Sequence, residues 1–143
     1  MDIGADKTNK LHSLLLSGHV NKLDKKQLLQ TTDSLGVSIL ASGYIKRYLI
    51  KNDGNIGVQI IYGPGDVFPL TNVFSAFFNQ PLYRGREIFY YEAMVDSEIH
   101  TIHSQELLRA VKSDKELYAR LLQEAGKHLE SCVHSLENIA LRS

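Results

Sequence analysis

The chain has one cysteine, no tryptophan, three prolines and no excess of either charge. Each scarcity removes a class of protein. Cys132 alone cannot close an internal disulfide or complete a four-cysteine metal or iron–sulfur site, and nothing in the sequence calls for an oxidising compartment. Sixteen basic residues balance sixteen acidic ones, so the overall basic footprint of a nucleic-acid-binding domain is missing. The densest basic group, Lys22, Lys25 and Lys26, reads as a solvated strand edge rather than a phosphate track. No apolar run approaches the roughly 20 residues of a membrane span. The start, Met1-Asp-Ile-Gly-Ala-Asp6, carries acid where a secretory signal carries Lys or Arg, and Leu14–Leu16 is too brief for a signal core. The expectation is a cytoplasmic protein without a membrane partner. Its 143 residues, 43% of them apolar, suit one globular domain.

What is present is a pattern of short strands. The most informative stretch, Ala41 to Leu70, reads as two alternating runs joined at Asp53-Gly54 and closed by Gly63-Pro-Gly-Asp66. An Asp-Gly pair between such runs predicts a type I′ hairpin, with positive φ at both central residues. Strands are expected at Val20–Leu23, Gln27–Thr31, Val37–Ala41, Tyr44–Lys51, Ile56–Tyr62, Phe89–Val95 and Ile99–His103. Turn residues separate them at Asp24-Lys25, Asp33-Ser34, Gly43 and Asp96-Ser97. Many short strands without helical crossovers mean an antiparallel sandwich or jelly roll. A short helical pattern at Leu11, Leu14 and Leu15 precedes them, placed on the outside of the barrel.

Two helices follow. Ser104 reads as the N-cap of a helix from Gln105 to Val111, and Ser113-Asp-Lys-Glu116 as a capping box for a longer one ending near Arg142. Along the latter, Tyr118, Leu122, Ala125, Leu129, Cys132, Leu136 and Ile139 recur in steps of four and three, a heptad seam. Leu117, Leu121 and Val133 form a second apolar line. One line can pack on the chain's own barrel while the other meets a second copy, which makes a parallel homodimer the economical arrangement. A single broad core-facing stripe is the alternative.

The order strand, Asp-Gly, strand, Gly-x-Gly-Asp and long terminal helix resembles the sensor domain of the cyclic-AMP receptor protein/FNR family of transcription regulators. The likeness runs from Gly18 to Ser143. It includes Glu92-Ala-Met-Val-Asp-Ser-Glu-Ile-His-Thr-Ile102, similar to the family's returning strand pair, and Leu136-Glu-Asn-Ile-Ala-Leu-Arg-Ser143, similar to the end of its dimer helix. The resemblance implies a double-stranded β-helix (jelly-roll) barrel over residues 1–112 and a dimerisation helix over 113–143 ending at a hinge. It also implies that DNA is reached only through a helix-turn-helix domain beyond the hinge, which this chain does not contain. The cysteine count excludes FNR-like oxygen sensing by an iron–sulfur cluster.

Members that bind cyclic AMP hold the ribose with a Gly-Glu pair and the phosphate with an Arg-Ser or Arg-Thr pair. Matched by spacing, these positions fall on Pro69 and Leu70 and on Glu87 and Ile88. A carboxylate in place of a guanidinium repels phosphate, and Leu70 accepts no hydrogen bond. Cyclic-nucleotide binding is therefore disfavoured, although a different loop register would bring Arg84 and Arg86 to an anion site. In place of the cassette stands an aromatic stretch from Val67 to Tyr83. Phe68, Phe74, Phe77, Phe78 and Tyr83 either line an apolar pocket beside the long helix or fill the barrel. The candidate ligand residues are Phe68, Leu70, Phe74, Tyr83, Arg84, Arg86, Leu129 and Cys132. Tyr118, Leu122, Ala125, Leu129, Cys132, Leu136 and Ile139 form the candidate dimer seam.

No catalytic constellation is legible. His100 and His103, three apart on a strand, point to opposite faces and are expected at the surface or a strand edge. The His-x-His pair of the cupins, which share the jelly roll, is missing. His128 and His134 fall on different faces of the long helix, and His12 and His19 precede the barrel. Cys132 reads either as inert packing or as a redox group on the dimer seam. The expected protein is a sensing and dimerisation domain with no cofactor or metal, answering an unidentified small-molecule effector. A stand-alone dimeric interaction module is the alternative, and a cupin-type enzyme a distant third.

Overall fold

The computed structural model describes residues 4–29, 36–50, 53–70 and 89–142. Among the described residues seven strands run in order: β1 (His19–Leu23), β2 (Gly36–Ser42), β3 (Ile45–Ile50), β4 (Ile56–Tyr62), β5 (Val67–Phe68), β6 (Phe89–Ala93) and β7 (Ser97–His103). Helix α1 (Lys10–Leu16) precedes them, and α2 (Ser104–Ser113) and α3 (Lys115–Arg142) follow. One antiparallel sheet has the order β1-β7-β2-β5 and the other β4-β3-β6. The architecture is mainly β and of jelly-roll type, and among the described residues the two sheets do not close into a continuous barrel.

The four-stranded sheet is buried on both faces because its strands carry apolar residues on both. Val37, Ile39, Val67 and Ile102 meet Leu11 and Leu15 of α1, Leu107 and Val111 of α2, and Leu117 and Leu121 of α3. Leu40, Ile99 and Phe68 turn the other way, toward Ile45, Tyr62, Tyr91 and Ala93 of the facing sheet. On the face shared with Leu40 and Ile99 the Ser38 and Thr101 hydroxyls hydrogen-bond each other at 2.7 Å, which offsets the cost of burying Ser38. Lys22 is exposed on β1, at the edge of the sheet.

Gly43 allows the chain to cross from one sheet to the other. Its φ is +94°, and a Cβ there would lie 2.1 Å from Ser97 Oγ and 2.7 Å from Ser97 Cα, so both conformation and space demand glycine.

Several expected elements differ. Ile50 pairs with Ile56, leaving a five-residue connection instead of a two-residue turn. Gly54 has φ +85° and Asp53 is not left-handed; the Asp53 carboxylate instead accepts from Asn55 N at 2.9 Å and from Asn55 Nδ2. This side-chain-to-backbone bond favours a wider loop over type I′. The strand expected at Gln27–Thr31 is a single bridge, Leu28 to Glu92, among the described residues. Lys26, at φ +72°, swings the chain from β1 across to β6, where Leu29 N reaches Tyr91 O at 2.8 Å. Strand β7 begins at Ser97, two residues before its expected start, and β5 lies in what reads as loop.

The caps also shift by one residue. The His103 side chain accepts from Gln105 N and is the N-cap of α2, while Ser104 is its buried first residue. Asp114 caps α3, its Oδ1 accepting from Glu116 N and Leu117 N, whereas Ser113 Oγ donates backward to Arg109 O and Ala110 O. A carboxylate at a helix start is the stronger cap because it also faces the positive end of the helix dipole. The expected turn at Asp33-Ser34 lies outside the described residues.

Candidate functional site

The inner end of the three-stranded sheet faces α3. On β3, Ile45 and Leu49 are buried, and strand alternation puts Arg47 on the same inner side. Its guanidinium reaches the Tyr91 hydroxyl; burial pushes that phenol's pKa up, and Arg47 pulls it the other way. Tyr62 stacks on Phe68 at 4.6 Å between ring centroids, and Phe68 lies 5.7 Å from Tyr91. Tyr62 in turn meets the His128 ring of α3 at 5.7 Å, tilted by 40°. The arrangement is an aromatic stack with one guanidinium inside the sheet and one imidazole at its edge.

An ion pair ties α3 to this region. The Gly63–Asp66 turn is fixed by Asp66 Oδ2 accepting from Gly63 N at 2.7 Å, and Asp66 Oδ1 pairs with Lys127. Glu124 and His128, one turn apart on α3, face inward. Glu124 lies 3.7 Å from His12 Nε2 of α1 and 3.8 Å from His128 Nε2. Burial works against the Glu124 charge, but the His12 and His128 imidazoles and Lys127 outweigh it, holding the carboxyl down to about 2.

His12, Glu124 and His128 do not behave as a metal centre. Asp6 N–H donates to His12 Nδ1 at 2.9 Å, so in the neutral ring the proton sits on Nε2, facing Glu124. A metal-bound histidine normally donates from its second nitrogen, the reverse of what is seen. Among the described residues no group of three metal-type side chains fits an ion.

The sequence-predicted residues divide. Phe68 is fully buried in the aromatic core, whereas Leu70 packs against the opposite, helix-side cluster; the structure does not bring these two together. Tyr118 and Leu122 stand exposed at 42% and 49% while Leu117 and Leu121 are buried, so the first turns of α3 put one apolar pair into the core and the other outward. Ala125 is half-buried. Phe74, Phe77, Phe78, Tyr83, Arg84, Arg86, Glu87 and Ile88 lie outside the described residues, as do the side chains of Leu129, Cys132, Leu136 and Ile139.

His100 is not at the surface as expected: its Nδ1 contacts Leu16 O at 2.9 Å and its Nε2 contacts Glu98 at 3.0 Å. Sequence reasoning also missed the group formed by His12, Glu124 and His128. The i,i+4 spacing of Glu124 and His128 was a signal for one pair, but nothing local ties His12 to them.

No family model matches the chain, and no curated protein does. Solved structures do. A transcriptional regulator from Thermotoga maritima superposes with a TM-score of 0.70 at 21% identity, covering 91% of this chain and 97% of that one. A CooA variant from Carboxydothermus hydrogenoformans gives 0.68 at 17%, covering 93% and 81%. CprK in complex with o-chlorophenolacetic acid gives 0.68 at 14%, covering 91% of this chain and 52% of that one. This is the fold of a cyclic-AMP receptor protein/FNR sensor domain. The Thermotoga maritima protein of that fold is a transcriptional regulator, and the chain spans about half the length of CprK. No described helix is long and apolar enough to cross a membrane.

Proposed function

We propose that the chain belongs to the cyclic-AMP receptor protein/FNR regulators and is an effector-sensing and dimerisation domain that answers a ligand other than cyclic AMP. One observation carries the reading. Within the shared fold, α3 buries Leu117 and Leu121 against the chain's own core and leaves Tyr118 and Leu122 exposed on the other side, the division needed by a helix that serves a barrel and a second copy at once. Such a dimer would reach DNA only through a further helix-turn-helix domain.

For the effector, the spacing of the sequence matches Glu87 and Leu70 to the family positions that give a cyclic nucleotide a cation and an acceptor, and charge-assisted contacts supply most of the affinity for a phosphate. Arg47 and Tyr91 on the inner face, beside the stacked rings of Tyr62 and Phe68, fit an apolar aromatic molecule with an acidic head. CprK was solved with such an acid. Calorimetric titration with cyclic AMP, cyclic GMP and o-chlorophenolacetic acid tests this. Micromolar binding of either nucleotide sinks the effector claim, and a sedimentation mass of one chain at micromolar concentration sinks the dimer.

A second reading has its own support. Phe68, Tyr62 and Tyr91 are 0%, 2% and 8% exposed and pack on one another, as they would in a stand-alone dimeric interaction module without an effector.

A further inference from the structure

The three inward-facing atoms His12 Nε2, Glu124 Oε2 and His128 Nε2 are all buried, and none has a hydrogen-bond partner among the described residues. Buried polar atoms left in this state call for an explanation. His12 is the key member because its two nitrogens serve different elements. Nδ1 accepts the Asp6 amide of the leading segment, and Nε2 faces Glu124 of α3. Asp6 in turn organises the turn into α1: its Oδ1 accepts from Thr8 N and Thr8 Oγ1, and its carbonyl from Asn9 N.

We propose that His12 is a proton-operated latch between the leading segment and the long helix, closed on Asp6 when the ring is neutral and closed on Glu124 when it is charged. A second proton can only go onto Nδ1, and a protonated Nδ1 cannot accept the Asp6 N–H. The same proton turns the contact with Glu124 into an ion pair. The amide contact of residues 4–9 is thereby lost while α1 is drawn toward α3.

The surrounding charges set the balance. From α3, Glu124 opposes a charged His12 ring with an anion, while His128, Lys127 and Arg120 add or can add positive charge. From the leading segment, the Asp6 carboxylate lies close enough to His12 to act on it. From the barrel, Asp66 holds Lys127 and the Tyr62 ring covers His128. On α1 itself, Lys10 is committed elsewhere, to Asp114 and Glu116 at 3.2 and 3.4 Å. Glu124 remains ionised through the range in which imidazoles take up protons, so an anion is always present to receive the charged ring. The latch does not depend on the identity of any effector.

The test is a nuclear magnetic resonance titration of the full chain from about pH 8 to about pH 5, following the His12 ring nitrogens and the Asp6 amide. At the upper end His12 should be the Nε2–H tautomer. The Asp6 amide proton should shift with the same midpoint as the ring, and its exchange with water, corrected for the intrinsic rate, should rise roughly fivefold on protonation. In His12→Asn the side-chain oxygen takes the place of Nδ1 without titrating, so the Asp6 response should vanish. An Nδ1–H tautomer at high pH, an Asp6 amide indifferent to the ring, or the same Asp6 response in His12→Asn would each overturn the latch. Should that variant fail to fold, the wild-type titration decides alone.

Discussion

Replacing Glu124 by Gln removes one charge at constant shape. A carboxyl held at about 2 instead of its ordinary 4.5 represents at most ~3 kcal/mol at neutral pH, at about 1.4 kcal/mol per unit. The imidazole contacts, at 3.7 and 3.8 Å, exceed hydrogen-bond length, and Lys127 is solvent-screened. We therefore expect about 1–2 kcal/mol and a loss of roughly 4–8 °C in Tm. The pH dependence follows from the sign. Because the folded value is depressed, the contribution is complete above about 4.5 and disappears as pH falls toward 2. Wild type and Glu124→Gln should thus differ most just above about pH 4.5, where the carboxylate and the imidazoles facing it are both charged, and converge as the pH approaches 2. Asp6 and Asp114, also held below the usual carboxylate range by their hydrogen bonds to Thr8 and to Leu117, act in both proteins and cancel in the difference. Urea unfolding at fixed protein concentration measures it, since any dimer would make stability depend on concentration. Two stability curves that stay parallel from pH 7 to pH 3 would refute the reasoning.

In the proposed dimer Leu122 lies on the outward line, so Leu122→Lys should give a folded monomer; an unchanged sedimentation mass would count against that seam. Leu121→Ala, one residue earlier but inside the core, should instead cost about 2–5 kcal/mol, read by denaturant unfolding. Phe68→Ala should cost about 3–5 kcal/mol by the same measurement, since the ring is fully buried against Tyr62 and Tyr91. Gly43→Ala should cost at least about 2 kcal/mol through backbone strain and displacement of Ser97, and an unaltered melting temperature would contradict the geometry at that crossing.

Residues whose structure is decided by near neighbours were legible in the sequence. The β3–β4 pair could be read because apolar alternation and turn residues are both local, and the two lines of α3 because helix periodicity sorts side chains by face. The turn type at Asp53 was not, since the Asn55 amide competes for the Asp53 carboxylate. Nor was β5, whose two residues carry no period and become a strand only by pairing with Ser38 and Ile39. The contact between His12 and Glu124 was out of reach for the same reason: α1 and α3 meet only after the barrel has folded between them.

Val67 and Phe68 are adjacent in the chain, yet one is sunk in the helix-side core and the other in the core between the sheets. The pair acts as a rivet through both layers. Pulling it along the strand would open a gap on each side at once, so a pull at residues 69 and 70 is resisted by both cores. The neighbouring turn is tied instead to the long helix, where Asp66 pairs with Lys127. A push on the turn is thereby handed to the long helix, about midway along its length, while the double-sided core stays still.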